Sequence, residues 1–201
     1  MTIEAALARS ADLSIWLDSS VHGLDIPSGE REAMAAALFD QVHEHHKAIQ
    51  LLLNRSLVGS AFSLVRPTLE TLVRGVWLLR CASDEEVDNF TKDKIVEKSF
   101  GDLIREVEAH PGYNIGVLSK VKKEAWSAMC SYAHGGYLQA VRRITPDHIT
   151  ANYSEGEMLE VINSSRAIAL LAASEIFSMA KRKDLVEEVL ERMRGASLTQ
   201  E

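Results

Sequence analysis

Between Ser56 and Cys81 the chain reads SLVGSAFSLVRPTLETLVRGVWLLRC, an apolar stretch of helical period with a proline at its middle. At 3.6 residues per turn, Leu57, Val58, Ala61, Leu64, Val65, Leu69, Leu72, Val76 and Leu79 fall on one broad arc. Phe62, Val73 and Trp77 widen it, so this helix is expected to be the buried centre of the fold, with neighbours on several sides. The remaining strip carries Arg66, Glu70 and Arg74 at four-residue steps, on consecutive turns of one face. Pro67 has no N–H for the Ser63 carbonyl and its ring crowds that group, so a kink is expected there. An interior proline costs about 3 kcal/mol, which packing has to offset.

Residues 3–21 form a first amphipathic helix closed by His22-Gly23. Ser28 is the expected N-cap of a second helix running to about Asn54, with Met34, Leu38, Val42, His45, Ile49 and Leu52 on its apolar face. The connection to the central helix is short, which makes the two antiparallel neighbours. Ser83-Asp84-Glu85-Glu86 and Ser154-Glu155-Gly156-Glu157 both have the Ser-x-x-Glu form of a capping box. A fourth helix is expected over Lys92 to Ala109, along Ile95, Ser99, Leu103 and Val107, stopped by His110-Pro111-Gly112. A fifth, from about Ile115 to Gly135-Gly136, has two ridges and so should be covered on two sides: Val117, Val121, Ala125, Ala128 and Tyr132; then Trp126, Cys130 and His134. A short piece over Tyr137 to Ile144, a long helix from Ser154 to about Ala180 and a charged helix over Asp184 to Met193 complete the chain. The expected fold is all-α: an up-and-down bundle of about six main helices in one domain over 1–201. Its core lies within about 28–180, flanked by an N-terminal helix in 1–22 and a C-terminal helix and tail in 183–201.

Composition narrows the function classes. A net charge of −7 argues against a broad, nonspecific grip on DNA, although a local basic patch stays open. Two cysteines are too few for a disulfide framework or a zinc site. No apolar run reaches the roughly 18–20 residues needed to cross a bilayer, and the N-terminus lacks a signal-peptide layout, so a cytoplasmic location is expected. More apolar surface is available than one bundle must hide, which points to a homodimer.

Candidate sites are few. If the central and fifth helices are neighbours, Arg66 and Glu70 can face His134 of Ser131-Tyr132-Ala133-His134-Gly135-Gly136 across a cleft. A carboxylate orients an imidazole, a guanidinium holds an anion, and the glycines allow close approach. The same residues admit a purely structural reading, with an Arg66–Glu70 ion pair beside the proline and His134 bonded to a carbonyl. His43-Glu44-His45-His46 lacks the i, i+3 or i+4 histidine spacing of a helical metal site, and Asp40 leaves the set incomplete, so no metal and no cofactor are expected. Arg105-Glu-Val-Glu-Ala-His110 matches Arg-x4-His, the active-site pattern of HEPN-type ribonucleases, as does Arg143 to His148. Lys120, Lys122, Lys123 and the Arg142-Arg143 pair are the basic clusters able to hold phosphate.

The Arg66-Pro67-Thr68-Leu69-Glu70 run, with Ser131-Tyr132-Ala133-His134-Gly135 downstream, resembles a group of uncharacterised bacterial helical proteins. These carry an Arg-Pro-x-x-Glu helix and a Ser-Tyr-x-His-Gly segment, and their general look is similar to HEPN-like bundles. The resemblance implies Arg66, Glu70 and His134 as a shared polar group and no established activity; HEPN relatives often act as ribonucleases, toxins or phage-defence components. Two readings follow. One is a ligand- or partner-binding module that grips a small anionic ligand through Arg66, Arg74, Tyr132 and His134. The other is a metal-independent endoribonuclease acting on RNA, with His134 or His110 moving the proton and Arg66 or Arg105 stabilising the phosphorane.

Overall fold

The computed structural model describes residues 1–94 and 98–197, which fold as α1 (Ile3–Val21), α2 (Glu30–Asn54), α3 (Val58–Arg80), α4 (Asp84–Thr91), α5 (Phe100–Glu108), α6 (Val117–Ala133), α7 (Tyr137–Val141), α8 (Glu155–Met179) and α9 (Lys183–Ser197). No strand forms among these residues; a lone antiparallel bridge pairs Ile144 with Ile149. The protein is an all-α helical bundle.

The central helix is α3, which packs against α2, α5, α6 and α8. Its arc is buried as the apolar spacing requires, from Val58, Ala61 and Phe62 through Val65, Leu69, Leu72, Val73 and Val76 to Trp77 and Leu78. Leu57 departs from the expectation: it precedes the first helical turn and is exposed. The helix runs unbroken through Pro67, and Thr68 Oγ1 donates to the Leu64 carbonyl at 2.6 Å just beyond it. Gly75 makes room for the Phe39 side chain of α2, since a Cβ there would stand 2.6 Å from the Phe39 ring.

Local signals fix the helix starts. Ser83 and Ser154 close capping boxes with Glu86 and Glu157, and Ser99 closes another with Asp102. That third box corrects the expected 92–109 helix. Its N-terminal part is replaced by the end of α4 at Thr91 and the cap of α5 at Ser99, while Ile95 lies outside the described residues. Ser28 is likewise not the cap of α2; Gly29 holds that position.

The phase of α2 is also corrected. Ala35, Phe39, Val42, His43, His46, Ile49 and Leu53 face the core, so His43 and His46 are buried while His45 is only half-buried. His43 Nε2 donates to the Ala169 carbonyl at 3.1 Å. His46 Nδ1 bonds Ser165 Oγ at 2.6 Å, and its Nε2 lies 2.8 Å from Gln50 Nε2. Because the amide nitrogen is a donor, Nε2 accepts and Nδ1 carries the proton. Burial lowers the pKa of His43 and pushes His46 down to about 3. Both rings are thus core groups, neutral and paired with α8. Among the described residues, no helix is long and apolar enough to cross a membrane.

Candidate functional site

The α3–α6 contact is built from the backbone outward. Ser63 Oγ donates to the Tyr132 carbonyl at 2.9 Å and takes a bond of the same length from Gln139 Nε2, tying α3 to the end of α6 and to α7. Phe62 packs edge to face with Tyr132 and tilted against Tyr153 beside it, with centroids 5.0 Å (Phe62–Tyr132) and 4.8 Å (Phe62–Tyr153) apart. One turn along α3, Arg66 directs Nε and Nη2 to Glu70 Oε1 at 3.2 and 3.0 Å. Its Nη1 donates to His134 Nε2. A guanidinium can only donate, so Nε2 is the accepting nitrogen of this contact.

Trp126 completes the group. The Arg66 guanidinium carbon lies 4.7 Å from the indole centroid, and Phe100 of α5 stacks on the indole at 4.4 Å and 15°. Trp126 and His134 belong to one of the two ridges of α6, and both touch Arg66. The expectation that α6 is covered on two sides is corrected: Leu118 is its one buried residue, and the helix packs on α3, α5 and α7.

The indole also forms part of a second feature. Between α5 and α6 lies a cleft of about 460 Å³, lined by Ser99, Gly101, Asp102, Ile104, Arg105, Ser119, Lys122, Lys123 and Trp126. Arg105 pairs with Asp102. Lys122 and Lys123 have no carboxylate partner among the described residues, so the cleft is locally positive on an acidic protein.

Other candidate residues go elsewhere. Arg74 lines a small crevice with Trp77, Phe90, Lys98 and Leu103. Tyr132 packs through its ring, gives its carbonyl to Ser63 and hydrogen-bonds Arg142 through its side chain. Arg142 is paired with Glu157. Arg105 and His110 line different cavities: the arginine faces the α5–α6 cleft, while His110 follows α5, donates Nδ1–H to the Pro111 carbonyl at 2.7 Å and lines a cavity with Arg80 and Glu175. The glycine pair serves the turn itself. Gly135 takes a left-handed φ of +65°, and a Cβ on Gly136 would stand 2.6 Å from Ser131 Oγ. Among the described residues, no three His, Cys, Asp or Glu side chains gather as a metal site needs.

A family model matches residues 39–196, well over half of the chain. The chain belongs to a family of unknown function, DUF6988. No curated protein and no solved structure matches it. Arg66, Glu70, Trp126 and His134 all lie inside the DUF6988 span, as do both walls of the basic cleft, whereas α1 and the start of α2 precede it. Sequence reasoning found the arginine, the carboxylate and the imidazole. It missed Phe100 and the role of Trp126, whose one signal was its place eight residues before His134 on the same ridge.

Proposed function

We propose that the protein is a binding module for a phosphate-bearing anion, held in the α5–α6 cleft by Lys122, Lys123 and Arg105 against Trp126. The observation that carries this reading is the double role of Trp126, which walls the cleft and also receives the Arg66 guanidinium. A ligand pressed on the indole is felt by Arg66, and through it by Glu70 and His134. Inorganic pyrophosphate and a short RNA are suitable probes. Both should bind with affinity that falls as salt rises, and Lys122→Glu with Lys123→Glu should weaken binding at least about tenfold. Affinity unchanged by that reversal would remove the reading.

A second reading, a HEPN-like metal-independent endoribonuclease, is favoured by one contact. His134 is bonded to Arg66, which sets an imidazole next to a cation suited to phosphorane charge; Nε2 must leave the guanidinium before it takes the substrate's proton. Arg105 with His110 has no such support. RNA incubated in EDTA should be cleaved by the wild-type chain and left intact by His134→Ala; equal cleavage by both would exclude His134. A homodimer belongs to the same proposal. Ile144 and Ile149, side by side across their bridge, and Tyr137 are exposed and offer an apolar face to a second copy. Sedimentation equilibrium should give twice the monomer mass, and Ile149→Glu should return it to the monomer.

A further inference from the structure

A second cavity, of about 310 Å³, lies between the end of α3, the turn after α5, and helices α8 and α9. Its polar wall is a buried carboxylate, the groups that satisfy it, and His110 and Ser174. Glu175 is 7 % exposed. Arg80 Nε and Nη2 donate to Oε2 at 3.1 and 2.7 Å, and the Tyr113 hydroxyl donates to Oε1 at 2.9 Å. Burial and then the neighbouring carboxylate push the Tyr113 pKa up, so the phenol stays a donor. The opposite wall is aliphatic: Leu171 from α8, and Val189, Leu190 and Met193 from α9.

The chemistry of this pair selects its ligand. Glu175 already accepts three hydrogen bonds and is almost fully buried, so it leaves one poorly accessible acceptor site for an incoming amine. Arg80 keeps about a third of its side chain exposed, and its Nη1 has no partner among the described residues. With its charge shared with Glu175, the Arg80 guanidinium suits a single negative charge on Nη1; the repulsion from Glu175 is larger for a phosphate dianion than for a monocarboxylate. The volume is at the small end of the roughly 300–1,000 Å³ typical of ligand pockets.

We infer that this cavity binds a small monocarboxylate with an aliphatic body, its carboxylate on Arg80 and its chain against Leu171, Val189, Leu190 and Met193. The site is independent of the α5–α6 cleft, and either can fail without the other.

Titration calorimetry on the full chain with octanoate, octanol and octylamine tests this directly. Octanoate should bind at least about tenfold tighter than octanol, and octylamine should give no binding heat. Ser174→Trp, which fills the cavity and leaves the Arg80–Glu175 pair in place, should weaken octanoate by at least about tenfold. If that variant fails to fold, Leu190→Trp, at a half-exposed position of α9, replaces it. No heat with octanoate, equal affinity for octanoate and octylamine, or wild-type affinity in the filled variant would each overturn the assignment.

Discussion

The Arg66 guanidinium and the His134 imidazole, 68 positions apart in the chain, are hydrogen-bonded across the α3–α6 contact. The same guanidinium holds Glu70 on its own helix and lies over Trp126. Arg66 is therefore the hinge of the polar cluster: its one side chain orders an anion, an imidazole and an indole.

Replacing Arg66 should be felt in stability, but only modestly. The Arg66 and Glu70 side chains are 18 % and 31 % exposed, so solvent screens part of their attraction. Adding the contact with Trp126, Arg66→Met should cost about 1–2 kcal/mol in urea unfolding. Arg66→Lys keeps the charge without the planar fork and should recover less than half of the loss.

Acid should destabilise the fold through His46. The unfolded chain takes up this proton near pH 6.5, whereas the native ring, held down by burial, does so only near 3. Between those values the unfolded state binds more protons, so stability falls as pH falls. One such histidine removes about 2 kcal/mol between pH 7 and pH 5, and His43, lowered in the same direction, adds to it. Urea midpoints at the two pH values should show the loss, and His46→Gln should flatten it by about one proton's worth. An unchanged slope would mean that His46 is solvated.

Much of the helical layout can be read from the chain because it rests on local rules. The boxes at Ser83 and Ser154, the apolar arc of α3 and the Arg66–Glu70 step each depend on residues within one or two turns. The α2 face is different. An alanine-rich stretch gives little contrast between its sides, and His43 and His46 read as polar until Ala169 and Ser165 of α8 arrive to bond them. Glu175 has the same difficulty. In sequence it is one carboxylate on a long helix, and only Arg80 and Tyr113, distant along the chain, make it a buried centre. Phe100 is equally silent until α5 brings it onto Trp126.

The α2–α3 seam gives a prediction of the opposite kind. A methyl group at Gly75 would stand 2.6 Å from Phe39, a fully buried ring with little room to move. Gly75→Ala should lower stability by about 1–3 kcal/mol despite its better helix propensity. Phe39→Leu in the same chain should restore part of it, measured by thermal unfolding.

At the buried carboxylate, removing one partner should hurt more than removing both. Arg80→Met leaves Glu175 with Tyr113 alone and should cost about 3 kcal/mol. The double variant Arg80→Met with Glu175→Leu should be the more stable of the two. Additive losses in a double-mutant cycle would show that the pair is not coupled.

The indole N–H resonance of Trp126, assigned with Trp126→Phe and followed while pyrophosphate is added, is the most direct measurement of anion binding at this face. Saturable movement of that resonance, with Trp16 unmoved and no movement after Lys122→Glu with Lys123→Glu, is the expected result. A Trp126 signal that stays fixed, or that moves equally in the charge-reversed protein, would contradict it.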